Sequence, residues 1–185
     1  HTRLTCDWSS DVCSSDLLEN RMRFPLEVFD AVRAAFPDHK PIGMRVSATD
    51  WVDGAWDLAQ TIEFAKELKK RGVDWMDVSS GGVSPLQKIP LGPGYQVPAA
   101  QAVKEATGVT TMAVGLITEA KQAEEIVASG KADMVALARG MLYDPRWGWH
   151  AAAELGGEVS APPQYWRSQP STQKTLFGKT TFGAR

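Results

Sequence analysis

The sequence predicts a parallel α/β protein assembled from four consecutive strand-then-helix units. Three observations lead there. Short apolar runs alternate with longer stretches whose apolar residues recur every three or four positions. The short runs lack the alternation of a sheet with one wet face, so they read as strands covered on both sides. The connections are mostly short, which for parallel strands means right-handed crossovers through the intervening helices. A doubly wound sheet and half of a β/α barrel both fit, and both place functional groups just beyond the strand C-termini. No G-x-G-x-x-G follows any strand, which weakens the dinucleotide-binding sheet.

Residues 1–17 (HTRLTCDWSSDVCSSDL) stand apart. They are rich in Ser and Asp and have neither helical nor strand periodicity. They hold both cysteines, Cys6 and Cys13, and the whole net charge of −2, through Arg3 against Asp7, Asp11 and Asp16. A disulfide or metal pair is one reading, but no His or further Cys lies close after them in the sequence to complete a metal site. The run VCSSDL resembles a translated sequencing-adapter read-through. The expectation is a non-native or disordered leader over 1–17, joined to the back part of a longer protein. The remaining chain lacks cysteine, which fits a reducing compartment such as the cytoplasm. Its balanced charge argues against nucleic acid or an acidic membrane surface. No apolar run has membrane-spanning length.

The elements follow in order. Residues 21–36 (RMRFPLEVFDAVRAAF) read as an amphipathic helix, with Phe24, Val28, Phe29, Val32 and Phe36 on one face and Pro25 in the first turn. Residues 41–46 (PIGMRV) form the first strand. Its Arg45 needs either a carboxylate on the next strand or a bound anion. A polar loop with Trp51 and Trp56 leads to a helix over 57–70, whose basic end suits the macrodipole. The second strand, 73–78 (VDWMDV), ends in Ser79-Ser80-Gly81-Gly82. The long Gly- and Pro-rich loop after it is of a length that usually carries function. A helix over 97–107, a strand over 109–114 and a helix over 119–129 with Thr118 as N-cap come next.

The last unit carries the strongest chemical signal. Residues 134–137 (MVAL) are a buried strand that runs straight into Ala138-Arg139-Gly140. The strand before it ends on Val114-Gly115. A glycine that admits close backbone approach and a fixed guanidinium, at neighbouring strand ends, could hold one phosphate. In an eight-stranded barrel, phosphate favours the loops after the last two strands. A helix carrying Trp147 and Trp149 follows, then a polar tail with the interface-type knot Tyr165-Trp166-Arg167, expected to be mobile from Ser168 on.

Taken together, the segments LENRMRFPLEVFDAVR, IGMRVSATDW, SGG…GPGYQVP, TMAVGLIT, ADMVALARGML, DPRW and PQYWR resemble the C-terminal half of the old yellow enzyme family of FMN-dependent ene-reductases. They are most similar to its thermophilic-type and xenobiotic reductase branch. The resemblance implies the C-terminal half, four βα units, of a (β/α)8 TIM barrel over 18–157, with FMN at its mouth and NAD(P)H as hydride donor. It implies that Arg45 faces the flavin pyrimidine edge and that Gly115, Ala138 and Arg139 hold the FMN phosphate. Trp147 and Trp166 would be substrate-binding wall residues for an enone or nitro compound. Arg167 would reach a partner subunit's site, making 158–185 a tail with a dimer-contact segment in a homodimer or tetramer. The Gly-Gly-Ser that usually precedes ENR is replaced by SSDL here, and the family often has Gly where Ala138 stands. The family's His pair, Tyr proton donor and Gln have no matching positions, so no catalytic residue and no metal ligand is assigned. By itself the chain is expected neither to bind FMN tightly nor to turn over, and to expose two sheet edges. A non-catalytic half-barrel assembly module and another phosphate-binding barrel enzyme are the alternatives. The latter wants a Lys or Glu at a strand end, and none stands there.

Overall fold

The computed structural model describes residues 17–178 and 180; Cys6, Cys13 and the rest of the leader up to residue 16 lie outside the described residues. The chain runs α1 (Leu18–Ala35), β1 (Gly43–Ser47), α2 (Leu58–Lys70), β2 (Trp75–Ser79), α3 (Val97–Thr107), β3 (Thr110–Ala113), α4 (Ala120–Ala128), β4 (Met134–Val135), α5 (Arg139–Tyr143) and α6 (Trp147–Leu155), then a 3-10 helix over Pro163–Ser168. The four strands form one parallel sheet in the order β1-β2-β3-β4. The predicted class of four parallel strand-and-helix units is therefore observed. Among the described residues, β1 and β4 are its two open edges.

The strands divide their side chains by parity. Val46, Met76, Val78, Thr111 and Ala113 are buried and belong to the layer shared with the helices, where Phe64, Leu68, Ala100 and Val103 close the core. On the other face Arg45, Asp77, Met112 and Met134 stand in one register row across all four strands. One row lower, Gly43 stands beside Trp75. A Cβ at Gly43 would lie 2.0 Å from the Trp75 ring, so glycine there is a condition for the indole to lie across β1.

A repeated device ties the lower strand ends. The Asp74 carboxylate accepts the Ile42 N–H at 2.7 Å, and Asp74 N–H donates to Ile42 O at 3.0 Å. Asp133 does the same to Thr111, at 2.9 Å both ways. Arg33 pairs with Asp74, and Lys104 with Asp133 at 2.8 Å. Lys104, helped by the Thr111 N–H and opposed by burial, holds the Asp133 carboxyl below its usual value.

Several expectations need correction. The first helix begins at Leu18, so Pro25 lies inside it instead of in its first turn. The ring lacks an N–H and gives up one internal bond, which the helix survives because Leu26 and Phe29 are buried just beyond. Of the five apolar positions expected on one buried face, only Phe29 is buried; Phe24, Val28, Val32 and Phe36 are 40–43% exposed. Helix α1 packs on α2, with Arg21 donating to Gln60 and Arg71 pairing with Asp30, and its outer stripe stays partly exposed, with Lys40 over the Phe36 ring.

Strand β4 is two residues long, although Ala136 N–H still donates to Ala113 O at 2.8 Å. Thr118 is not a cap: Glu119 holds that position without a side-chain bond. Asp57, by contrast, caps α2 by accepting the Gln60 N–H at 2.9 Å. The tail is not free of structure after Ser168. Leu176 and Phe177 are buried with Ala161 in a second small core, where Trp149 meets Tyr165 and Phe177 edge-on.

Candidate functional site

The upper strand ends surround a cleft of about 660 Å³, lined by Arg45, Ser79, Tyr95, Gln96, Gly115, Ala138 and Arg139 among others. The four residues proposed from sequence to touch the cofactor thus share one cavity. A smaller cavity of about 330 Å³ lies at the β1 edge, among Pro25, Met44, Val46, Trp56 and Phe64, and is largely apolar.

Arg45 meets the carboxylate on the next strand that one of its sequence readings required. Its Nη1 donates to Asp77 Oδ2 at 2.6 Å, and its Nη2 to Ser79 Oγ at 3.2 Å. Asp77 is buried while the Arg45 side chain is 60% exposed. A carboxylate orients the guanidinium from below, and its remaining surface opens on the cleft. Asp77 Oδ1 is buried with no hydrogen-bond partner among the described residues, so the pair leans on the arginine for its compensation. Arg139 opens α5, is exposed, and has no carboxylate at ion-pair distance among the described residues.

The backbone between those cations is unusual. Gly115 has φ +115° and Leu116, without glycine's freedom, has φ +49°. A leucine held in the left-handed region is a strained position, of the kind that clusters at binding sites. The Gly115 φ of +115° strains any other residue, and a Cβ there would also meet Gln96 Nε2 at 2.6 Å and Tyr95 Cε1 at 3.0 Å. The loop is braced from outside: Gln122 accepts the Thr118 N–H at 3.1 Å and donates to Leu116 O at 3.2 Å.

The proposed substrate-binding residues lie elsewhere. Trp147 donates its Nε1 to Thr118 O at 3.0 Å and packs on the main core. Trp166 donates to Ala161 O at 2.8 Å within the second core, and Arg167 is exposed on the 3-10 helix. None of the three lines the cleft. Arg146 stacks on Trp149 and Tyr165, with the ring centroids 5.2 and 4.5 Å from its Cζ.

Sequence reading missed three polar residues that shape the cleft. Asp77 was the one acid buried among apolar strand residues, directly beside Arg45 in a parallel register. Ser79 was assigned only as part of a polar turn. Gln96 was hidden in a loop read as irregular, although it is 3% exposed.

Comparison with known proteins adds identity to this geometry. The family model described as NADH:flavin oxidoreductase / NADH oxidase family matches residues 14–157. An NADPH dehydrogenase of Geobacillus sp. (strain WCH70) is 46% identical over 149 residues, 80% of this chain and 43% of that protein. One from Bacillus subtilis (strain 168) is 42% identical, again over 80% of this chain and 43% of the relative. Among solved structures, morphinone reductase aligns over 91% of this chain and 41% of its own, with TM-score 0.57 and 25% identity. A 2-naphthoyl-CoA reductase complex aligns over 71% of this chain and 21% of its own, with TM-score 0.64 and 27% identity. The chain spans less than half the length of the curated relatives it matches.

Proposed function

The chain belongs to the NADH:flavin oxidoreductase / NADH oxidase family, and from that premise we propose that it forms the FMN-holding side of an FMN-dependent NAD(P)H oxidoreductase that reduces activated C=C bonds or nitro compounds. The observation that carries this reading is a single cleft in which two guanidinium groups flank a glycine-requiring backbone turn.

FMN fits the residues present. Its phosphate is a dianion near neutrality, and Arg139 offers a permanent charge with no internal partner among the described residues. Gly115 and Ala138 present backbone and small side chains, which let a phosphate come close. Arg45, oriented by Asp77, would hold the pyrimidine edge. When bound, FMN supplies two-electron chemistry, taking hydride from a reduced nicotinamide and delivering it to the substrate. The chain's contribution is electrostatic and positional. A fixed cation at the pyrimidine edge favours negative charge there, and it needs no rearrangement because Asp77 and Ser79 already hold it. No residue of this chain is assigned a proton-transfer role.

Trp147 and Trp166 would supply substrate-wall surface, their indoles held by Thr118 O and Ala161 O. The dimer role of Arg167 rests on its exposure beside a self-packed Tyr165 and Trp166, which frees the guanidinium to point outward. A reducing cytoplasm is supported by the lack of cysteine after Cys13. No helix of the described residues is long and apolar enough to cross a membrane.

The test is a titration of the 185-residue chain with FMN and riboflavin, followed by fluorescence quenching. Weak FMN binding, with a Kd of roughly tens of micromolar or above and at least tenfold preference over riboflavin, is expected. NADPH-dependent reduction of 2-cyclohexenone is expected to be absent, because the cleft supplies one side of a flavin site. Equal affinity for the two flavins would overturn the phosphate assignment. A stoichiometric yellow complex with turnover would overturn the expectation that this side alone is insufficient.

A further inference from the structure

We infer that Gln96 is a positioning residue that sets the shape of the phosphate-facing turn at Gly115-Leu116, an inference that rests on the FMN reading. Gln96 sits just before α3, at the end of the long loop, and is buried. Its side-chain amide is the hub of a hydrogen-bond chain across three strand ends. From the loop after β1, Trp51 Nε1 donates to Ser80 Oγ at 2.9 Å. From the end of β2, Ser80 Oγ donates to Gln96 Oε1 at 2.6 Å, and Ser79 Oγ does so at 3.4 Å. From the other end of the amide, Nε2 donates to Val114 O at 3.1 Å, one residue before Gly115. Arg45 joins the same chain by donating to Ser79 Oγ.

Each link has a physical consequence. Oε1 can only accept and Nε2 can only donate; because Val114 O is itself an acceptor, it must face Nε2, so the amide has one productive orientation. That orientation pulls the Val114 carbonyl toward α3. The neighbouring peptide is held as well, because Gly94 N–H donates to Gly115 O at 2.9 Å. Fixed on both sides, the turn keeps φ values of +115° and +49° that a free chain would leave. The contact of Gln96 with the space above Gly115 also explains the glycine requirement: the amide occupies the position a side chain would take. Gln96 thereby links the two ends of the cleft, the Arg45 end through Ser79 and the phosphate end through Val114.

The experiment compares FMN with riboflavin on the full chain, its Gln96→Met variant and its Ser80→Ala variant. Gln96→Met keeps length and bulk but removes every polar link. Ser80→Ala removes one acceptor-side link and leaves the Val114 bond. The FMN-over-riboflavin preference should fall about tenfold in Gln96→Met and about threefold in Ser80→Ala, with FMN affinity falling further than riboflavin affinity in both. Amide NMR shifts at Gly115 and Leu116 should move in the same order. A packing role would lower both flavins alike, and that result overturns the inference. A preference that persists in Gln96→Met overturns the inference while leaving the FMN reading intact. A parent chain without any preference overturns both. If Gln96→Met fails to fold, Ser80→Ala decides alone, and an unchanged ratio there overturns the inference.

Discussion

The two ends of the sheet solve opposite problems with the same residue types. At the base, Asp74 and Asp133 each hold the start of the preceding strand and each find a cation, Arg33 and Lys104. At the mouth, Arg45 and Arg139 line a cleft, and Asp77, buried beneath it, is the carboxylate paired with Arg45 among the described residues. Charge at the base is paired within the chain; at the mouth Arg45 is paired but largely exposed, and Arg139 has no carboxylate at ion-pair distance among the described residues. That asymmetry is what a β/α scaffold needs if one rim is for stability and the other for a ligand.

The largest break in this comparison is steric and sits low in the sheet. Gly43→Ala would drive a methyl into the Trp75 ring and should destabilise by about 2–3 kcal/mol in a denaturant melt. Flavin preference should remain unchanged in whatever stays folded.

Next comes the pair that joins the two regions. Arg45→Ala strands a buried carboxylate and should cost about 2 kcal/mol, whereas Asp77→Asn leaves a solvated guanidinium and should cost about 1 kcal/mol. If Asp77→Asn proves the more damaging of the two in matched urea melts, Asp77 has a role other than orienting Arg45.

At the mouth, Arg139→Ala should move stability by no more than about 0.5 kcal/mol yet lower FMN affinity about tenfold, or 1.4 kcal/mol. A melting shift of several degrees would place Arg139 with the base residues instead.

The smallest effect is at the base and depends on pH. Asp133 ionises more readily in the folded state than in the unfolded one, so its contribution is complete above the ordinary carboxylate range. It is lost as pH falls through the lowered folded value, below about pH 4. The side chain is partly exposed, so the effect should stay under about 1 kcal/mol. Asp133→Asn should flatten that acid limb. An unchanged acid limb would show that the Lys104 pair is screened by solvent.

Much of the architecture was legible because it depends on local chemistry. Four apolar runs followed by helical stretches specify parallel units, and Asp57, Gly108 and Gly130 mark helix ends where the chain turns. Some of the cleft was legible too: Arg45 near the end of β1, and Gly115 and Arg139 just past the ends of β3 and β4, lie where a parallel β/α fold brings chains to one rim, while Ala138 came from the family resemblance. The outer face of α1 was misread because periodicity reports which residues are apolar, not how far their surroundings cover them. Phe24, Val28, Val32 and Phe36 carry the pattern of a buried stripe and remain exposed.

What the sequence determined by itself is the order of strands and helices and the presence of a cationic, glycine-bearing rim, because both follow from spacing along the chain. What only the tertiary structure decided is who touches whom across that rim. Asp77 beneath Arg45 and Gln96 between Ser80 and Val114 are set by sheet register and loop closure. Those partners are 16 to 32 residues apart in the chain, and no local pattern encodes a contact at such a separation.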